Sequence, residues 1–510
     1  MFVPQTFRLS GIKNLAGQTL WYGGSAIAAR FLNYLLTPFL THILTKSDYG
    51  LMSLIYAVLP IFNVVLTYGM ETAFFKFSNK ENEKDVYNTS ATSIIVSTLL
   101  FGAVLLFFYR DLAALTGVGT YPELMKMSIF IIMLDTFCVI PFAKLRLAGQ
   151  PQKYALIKVA GIVVNIFFTV FFLWWCPLAV ARDSNSIFSL FVNSDRNPVY
   201  YIVLANLLQA AVTLLLLHKE VFQIRFQFNK ALWRKIMWYA SPLLIAGLGG
   251  VINETLDRQM LYWLVPGDVL FKKEQVGIYS ACYKLSILIT LFIQAFRMGA
   301  EPFFFKQAEM ENPQRTYARV MKFFVIVITV MFLVVALYMP VWKYFISSKE
   351  WEGLSVVPIL LMANMFLGIY LNLSIWYKLG NKTITGAYIT FIGVAVTLLI
   401  NFTLIPYFGY KACAWATFLC YGTMMVVSYV WGQKVYPIPY ARKKLVLYLS
   451  IVGALFFIYK GALYFYDNVY FSLAFASLLL LGYLKFIAVI EQKELSKLPV
   501  VGKYFLAKHN

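Results

Sequence analysis

Charged residues are scarce in this chain. Only 13% of its 510 residues are charged, and 60% are hydrophobic. A water-soluble protein of this length divides into several domains joined by polar linkers, because single hydrophobic cores stop growing well below this size. Here apolar stretches recur along the whole chain instead, each about 20 residues or longer, which is the length that crosses the hydrocarbon core of a bilayer. The composition therefore excludes a soluble protein.

Residues that serve enzymes and metal sites are also few or poorly placed. The sequence has no GxxxxGK[ST] loop, which excludes nucleotide hydrolysis by that route. Its histidines lie far apart at or beyond the ends of apolar stretches, and its cysteines lie inside such stretches without paired spacing. These residues are His42, His218 and His509, and Cys138, Cys176, Cys282, Cys413 and Cys420. We therefore expect no enzyme, no metal, no disulfide and no cofactor.

Hydropathy indicates about fourteen membrane spans, from residues 14–43 to residues 469–490. The net charge of +21 taken alone suggests a nucleic-acid partner, but its distribution does not. When the spans are threaded alternately, roughly thirty Lys and Arg fall on one side and roughly ten on the other, which is typical of a cytoplasmic face. We expect both termini in the cytoplasm and no nucleic-acid partner. The longest loop on the opposite side, residues 181–197, is too short for a catalytic domain.

The sequence contains an internal repeat. The segment "DYGLMSLIYA" of the second span aligns without a gap with "QVGIYSACYK" of the eighth, and "GMETAFFK" aligns with "GAEPFFFK" further along. Upstream, "WYGGSAIA" aligns with "WYASPLLI". The matching residues of the first pair are Gly50, Ser53 and Tyr56 in one half and Gly277, Ser280 and Tyr283 in the other. Six spans separate the partners, and an even number returns the second half to the same orientation, so the halves are related by an axis along the membrane normal.

The predicted fold is an all-α polytopic membrane protein with two parallel-related six-helix lobes and two further helices. The predicted segments are an N-terminal lobe at 1–220, a cytoplasmic linker at 221–232, a C-terminal lobe at 233–440, two extra helices at 441–490 and a cytoplasmic tail at 491–510. In transporters built this way the site lies between the lobes, which rock to alternate its access. The sequence therefore indicates a transporter, driven by an ion gradient, the membrane potential or the gradient of its substrate.

Four cationic side chains stand inside predicted spans, where an ionisable group costs about 2.5–3.5 kcal/mol and therefore faces protein or a wet cavity. They are Arg30, Arg258, Lys284 and Arg297. Polar residues share these or equivalent stripes at helical spacing, namely Asn33, Asn63, Thr290 and Gln294. Because the stripes belong to the first two spans of each lobe, we predict that they line one cavity. Several cations at low dielectric suit a phosphate or pyrophosphate, although a purely structural arginine bound to carbonyl groups is an alternative for Arg30.

Acidic residues in the spans are candidates for coupling to protons or sodium ions, and each has a structural alternative. They are Glu71, Asp135, Glu254, Asp257 and Glu301. An i,i+4 ion pair between Glu254 and Arg258 would leave Asp257 free to carry a proton. Arg297 and Glu301 have the same spacing, and Glu71 can pair with Lys76. Asp135 is either a coupling group or a hydrogen-bonded structural acid.

Four segments in a fixed order carry a resemblance to a known family. They are "LTKSDYGLMSLIYAV", "YGMETAFFKFSN", "RLAGQPQKYALIKVAGIVVNI" and "LINFTLIPYFGYKACAWAT", the last with Asn401, Ile405, Pro406, Gly409 and Ala412. Through them nearly the whole chain resembles the polysaccharide (Wzx-type) flippases of the multidrug/oligosaccharidyl-lipid/polysaccharide exporter superfamily. The resemblance implies fourteen helices in two lobes. It also implies transfer of an undecaprenyl-diphosphate-linked oligosaccharide or polysaccharide repeat unit to the outer leaflet of a bacterial inner membrane.

The same resemblance implies a positively charged cavity, to which the four cations correspond by location, and contacts with membrane lipids and other polysaccharide-assembly proteins. The acids Glu71, Glu254 and Asp257 depart from a purely cationic cavity. A multidrug or cation antiporter and a peptidoglycan-precursor flippase of the same superfamily remain alternatives. A membrane glycosyltransferase or polymerase is an alternative of another class, and it would need a sizeable outer loop with acidic catalytic residues.

Overall fold

The computed structural model describes residues 24, 27–28, 30–78, 81–183, 186–193, 195–308, 310–380, 382–466 and 468–496. Within these ranges, thirteen helices are long and apolar enough to cross a membrane, and they coincide one for one with the second to the last predicted span. The first predicted span is described in part, as a helix at residues 30–43. The predicted all-α membrane fold is therefore confirmed.

We number the spans α1 to α14 in chain order. The first lobe holds α1 (30–43), α2 (Lys46–Ser78), α3 (Glu83–Phe107), α4 (Pro122–Leu147), α5 (Pro151–Arg182) and α6 (Pro198–Leu216). The second lobe holds α7 (Lys230–Leu264), α8 (Val269–Phe305), α9 (Pro313–Ala336), α10 (Ser348–Leu379), α11 (Ile384–Phe408) and α12 (Tyr410–Val435). The two further helices are α13 (Arg442–Phe465) and α14 (Val469–Ile490). Residues 230–232, which the sequence analysis places in the linker, are helical.

Helix boundaries follow local sequence. Proline occupies the first turn of α4, α5, α6 and α9, where its missing N–H leaves no hydrogen bond unmade. The Thr45 hydroxyl oxygen accepts a hydrogen bond from the backbone N–H of Asp48 and caps α2. A single residue, Gly409, turns the chain between α11 and α12 with a φ of 55°, a conformation that favours glycine.

The two lobes meet most closely where α2 and α8 begin. We call this end, at which α1 joins α2 and α7 joins α8, the upper end of the bundle, and the opposite end the lower end. A Cβ on Gly50 would lie 1.9 Å from the backbone oxygen of Lys273, and a Cβ on Gly277 would lie 2.1 Å from that of Lys46. Glycine at both positions is what allows the two backbones to approach this closely.

Further contacts join the turn between α1 and α2 to the start of α10 at the upper end. They are a hydrogen bond from the Ser347 N–H to Thr41 Oγ1 at 3.2 Å, one from Lys349 Nζ to the Leu44 carbonyl at 3.2 Å, and the ion pair of Lys46 with Glu352. We call the contacts of residues 41–46 with residues 347–352 the upper seal. Together with the α2–α8 contact, it holds the lobes closed at the upper end.

The lower half of α8 borders open space at one glycine position. Gly299 lies on nearly the same face of α8 as Gly277, about 33 Å further down at the α-helical rise. A Cβ on Gly299 would meet no atom within 4 Å, whereas its repeat partner Gly69 packs against Leu243 of α7. In the described part of the chain, a gap therefore lies beside the lower half of α8.

Helix α7 belongs by topology to the second lobe, but its lower half packs against the first. Trp233 Nε1 donates to Ser93 Oγ at 2.9 Å, and Lys235 forms an ion pair with Glu81 at 3.1 Å. Its upper half packs against α11, where the Asn253 amide donates to the Thr390 carbonyl at 3.2 Å. Helix α7 therefore connects the two lobes on one side of the gap.

The last two helices pack outside the second lobe against α9. The buried carboxylate of Glu491, just after α14, accepts hydrogen bonds from Lys322 of α9 at 2.6 Å and from Lys444 and Tyr448 of α13 at 2.7 Å and 2.6 Å. One carboxylate thus ties three helices together, away from the lobe contact.

Candidate functional site

A largely buried charge cluster on α7 lies against α8. The Arg258 guanidinium donates to Asp257 Oδ1 and to the backbone oxygen of Glu254, both at 2.9 Å, and the Tyr279 hydroxyl of α8 donates to Asp257 Oδ2 at 2.6 Å. Arg258 also lies over the Tyr283 ring, 4.6 Å from its centroid. The Asp257 side chain is 4% exposed and that of Arg258 is 13% exposed.

This geometry corrects the predicted pairing on α7. The expected Glu254–Arg258 ion pair with a free Asp257 is wrong, because Arg258 pairs with Asp257 and reaches only the main chain of Glu254. The Glu254 side chain is exposed instead. The physical reason lies on α8: Tyr279 holds the Asp257 carboxylate in the protein interior, where an ionised group needs a charged partner.

Lys284 lies next to this cluster. Its ammonium is within electrostatic range of Arg258 and belongs to none of the ion pairs among the described residues. Seven residues separate Lys284 from Gly277, so both lie on the face of α8 that is turned to α2. The structure therefore brings two of the four predicted cations, Arg258 and Lys284, together at the lobe contact.

Arg297 lies in a different place. Its Nε donates to Glu301 Oε1 at 2.8 Å, which is the i,i+4 ion pair anticipated from the spacing, and Lys378 of α10 binds the same carboxylate. At the α-helical rise Arg297 is about 20 Å along α8 from Lys284. Between them, the Thr290 hydroxyl donates to the Ile287 carbonyl at 2.8 Å, and Gln294 is half-buried. The structure thus separates Arg297 from the other two cations of the second lobe.

A cavity of 320 Å³ lies in the first lobe and against α7. Its polar lining consists of Tyr56 and Asn63 of α2, Asp135 of α4 and Asn206 of α6. The Asn206 amide donates to the Tyr56 hydroxyl at 3.2 Å, and Lys158 of α5 lies within electrostatic range of Asp135. The sequence analysis singled out Asn63 and Asp135 but missed Asn206 and Lys158. Both are polar residues within apolar spans, and that position was the available signal.

Two further predicted residues lie on α1, and one lies at the lower end of α2. Arg30 and Asn33 are both exposed. Gly23, which the sequence places on the same stripe, is outside the described residues. Glu71 forms an ion pair with Arg146 of α4 at 2.6 Å, so the alternative pairing with Lys76 is wrong. Lys76 instead lies over the Tyr239 ring of α7, 3.5 Å from its centroid, because α7 crosses the first lobe there.

The fold of this chain, with its two six-helix lobes, is similar to those of solved membrane transporters. The lipid II flippase MurJ in an inward closed conformation has a similar fold, with a TM-score of 0.69 at 14% identity over 93% of this chain and 99% of that one. An inward-facing multidrug resistance MATE family transporter of the MOP superfamily gives a TM-score of 0.57 at 14% identity, over 82% of this chain and 94% of that one.

Sequence comparison places the chain in a family. Residues 15–308 match the family described as "Polysaccharide biosynthesis protein", which is more than half of the chain. A relative, "Lsg locus putative protein 1" of Haemophilus influenzae, is 24% identical over 405 residues, which cover 75% of this chain and 90% of that one. The chain belongs to the polysaccharide biosynthesis protein family.

Proposed function

We propose that this protein is a flippase that carries an undecaprenyl-diphosphate-linked oligosaccharide or polysaccharide repeat unit from the cytoplasmic to the outer leaflet of a bacterial inner membrane. Its family and its transporter fold support a carrier in polysaccharide assembly. In this proposal the lower end and both termini are cytoplasmic, because Lys and Arg concentrate in the loops of that end. The closed upper end and the gap at the lower end then correspond to a state that receives substrate from the cytoplasm.

The observation that carries the proposal is the placement of Lys284 beside Arg258 at the lobe contact. Asp257 neutralises Arg258, whereas Lys284 has no carboxylate partner among the described residues. Lys284 therefore leaves an uncompensated positive charge beside Arg258 at low dielectric, and a bound diphosphate neutralises this charge by charge-assisted hydrogen bonds. An anionic lipid head therefore fits this site better than a cationic drug does.

The remaining residues have distinct roles in the proposal. Arg30, exposed on α1, adds a third cation facing the substrate. The first-lobe cavity, with Asn63 and Asp135 in its lining, receives part of the hydrated glycan, while the polyprenyl tail stays in lipid. Asp135 is the proposed site of coupling to protons or sodium ions because it lines an open cavity. Arg297 with Glu301, and the exposed Glu254, lie along the path from the lower end. No step requires an enzymatic activity, and other polysaccharide-assembly proteins are its proposed partners.

A proteoliposome assay with a fluorescent undecaprenyl-diphosphate oligosaccharide tests the proposal. Replacing Lys284 by Met removes the unpaired charge and is expected to reduce the initial flipping rate at least tenfold, since a charge-assisted hydrogen bond contributes about 1.5–3 kcal/mol. The matched control is Lys460→Met, a lysine exposed on α13 away from the lobe contact, which should change the rate less than twofold. Wild-type rates for both Lys284→Met and Arg258→Gln, at equal amounts of folded protein, would remove this site from the transport path.

The same assay distinguishes the alternative carriers. Lipid II has the diphosphate of the proposed oligosaccharide lipid but different sugars, and a cationic dye has neither the diphosphate nor the sugars. We expect the oligosaccharide lipid to be flipped faster than lipid II, and the dye not to be transported. A higher rate for lipid II would identify a peptidoglycan-precursor flippase, and dye efflux would identify a multidrug antiporter.

A further inference from the structure

One acidic side chain in the upper seal stands apart from all the charged residues discussed so far. Glu350, in the first turn of α10, is 0% exposed, and neither of its carboxyl oxygens has a hydrogen-bond partner among the described residues. The N–H of its own backbone donates to the Ser347 carbonyl at 3.1 Å. Unpaired buried carboxyl groups of this kind are rare, because an ionised carboxylate loses its hydration without compensation.

The neighbours of Glu350 in sequence hold the two lobes together. Ser347 and Lys349 donate hydrogen bonds to the turn between α1 and α2, and Glu352 forms an ion pair with Lys46. Glu350 lies between them and points into the protein, where its own backbone carbonyl accepts from the Cys282 thiol of α8 at 3.4 Å. Tyr49 of α2 in the first lobe also lies within electrostatic range of Glu350, so the closed lobe contact contributes to its burial.

The charged and titratable groups around Glu350 leave its carboxyl without a counter-ion. They are Lys46 and Tyr49 of α2, Cys282 of α8, Lys349 and Glu352 of α10, and Tyr410 of α12 through its contact with Glu352. Both cations are engaged elsewhere, since Lys46 binds Glu352 and Lys349 binds the Leu44 carbonyl. Glu352, Tyr49 and Cys282 offer no positive charge. A negative charge on Glu350 is therefore buried without a direct ion pair or hydrogen bond among the described residues as long as the seal is closed, and Lys46 and Lys349 act on it only from a longer distance.

We propose that Glu350 is a proton-binding site that controls the upper seal. A protonated Glu350 is neutral and fits the dry interior of the closed seal. When the carboxyl loses its proton, the closed form retains an unhydrated charge, whereas opening of the lobes admits water to it. Low pH at the upper end therefore favours closure, and higher pH favours opening. This inference concerns the lobe motion and holds for any molecule carried between the lobes.

The motion can be followed without a transported substrate. Spin labels at Ser189→Cys and Tyr407→Cys report the distance between the two lobes at the upper end, where both residues are exposed. All five native cysteines are buried, so the introduced ones react selectively. In lipid nanodiscs the ratio of closed to open protein is expected to fall as pH rises from 5 to 8. Because one proton is involved, the fall is at most about tenfold per pH unit.

Two substitutions distinguish proton binding at Glu350 from a general weakening of the contacts in the upper seal. Glu350→Gln mimics the neutral acid, so the closed form should predominate at every pH, with less than a twofold change between pH 5 and 8. Thr41→Ala removes the hydroxyl that accepts the hydrogen bond from the Ser347 N–H, but it leaves Glu350 and every charged group around it in place. It should lower the closed fraction at every pH while retaining the wild-type slope.

Two outcomes would overturn the proposal. One is a wild-type closed fraction that does not change between pH 5 and 8, a result that needs no substitution in the seal. The other is a Glu350→Gln variant whose pH dependence runs parallel to that of the wild type. Neither outcome bears on whether the protein flips a lipid-linked glycan, because no such molecule is present in the experiment.

Discussion

Gly50 on α2 packs directly against Gly277 on α8, and the two residues are partners in the internal repeat. The ideal Cβ position of each lies within 3.1 Å of the backbone nitrogen of the other. The contact is therefore nearly symmetric, because equivalent glycines of the two repeats pack against each other where the lobes join. Backbone atoms cannot move aside as a flexible side chain can, so the closed upper end requires glycine on both helices.

Alanine at this contact is expected to favour separation of the lobes. Gly50→Ala and Gly277→Ala should each lower the stability of the closed form by about 1–3 kcal/mol, the usual cost of overpacking. The spin-label pair at the upper end measures this as a rise in the open fraction. Gly299→Ala, in open space on α8, is the control and should be neutral or slightly stabilising, because alanine is the better helix former. An unchanged open fraction in both contact variants would show that the lobes do not close as described.

Removing the charge of Asp257 is expected to destabilise the protein strongly. Asp257→Asn leaves Arg258 buried without its counter-ion, and breaking such a pair costs about 3–5 kcal/mol. Thermal unfolding in detergent should show a clearly lower Tm. Glu254→Gln is the control on the same helix, and its exposed side chain should leave the Tm almost unchanged. A lower Tm for Glu254→Gln than for Asp257→Asn would indicate that Arg258 pairs with Glu254 instead.

The contact of the last two helices with the second lobe should weaken in acid. Burial alone raises the pKa of Glu491, but the hydrogen bonds from Lys322, Lys444 and Tyr448 outweigh it and hold that pKa below its ordinary value. A carboxyl with a lowered folded-state pKa stabilises the fold fully above its unfolded value of about 4.3, and this stabilisation is lost as pH falls through the lower folded value. The Tm of the wild type is therefore expected to fall as the pH is lowered below about 4.3.

Glu491→Gln should reproduce much of that loss at neutral pH, by about 3–5 kcal/mol, because it leaves the buried Lys322 with only the more distant Glu494 carboxylate, at 3.9 Å. Glu494→Gln is the matched control. Its carboxylate pairs with Arg319, whose side chain is 58% exposed, and reaches Lys322 only at 3.9 Å, so its removal is expected to cost about 0–1 kcal/mol. Equal Tm values for the two variants would contradict the anchoring role of Glu491.

The first-lobe cavity should be open to water-soluble reagents. A cysteine at Asn63, which is exposed in the cavity lining, is expected to react with a hydrophilic maleimide at least tenfold faster than one at Ser53. Ser53 lies on the same helix but is buried, and its hydroxyl donates to the Tyr49 carbonyl at 2.7 Å. Labelling rates in detergent measure the difference. Comparable rates would mean that the cavity is not accessible.

The sequence predicted the fold well because the bilayer imposes a simple rule. A span must be about 20 apolar residues long, and every backbone polar group must be satisfied within its helix, so hydropathy locates the helices almost directly. The predicted spans match the described helices α2 to α14 in order and number. Ion pairs between residues one helical turn apart were also predictable, as in the pair of Arg297 with Glu301.

Contacts between distant spans were not predictable in the same way. Asp257 has its partners on its own helix and on α8, and the choice between Asp257 and Glu254 as partner of Arg258 depends on how α8 packs against α7. Arg146 reaches Glu71 across two helices, and Glu350 showed no signal in the sequence at all. An acid near a span end usually lies in the hydrated interface, so only packing reveals that this one is buried.

The sequence by itself determined that the chain spans a membrane, how many helices it forms and that its two halves are related, because these properties follow from the length, periodicity and repetition of apolar residues. The tertiary structure decided which end of the lobes is closed, which cations meet and which carboxylates have partners. Those properties depend on distances of a few ångströms between helices that are far apart in the chain, and at low dielectric such distances determine the energy of every charge.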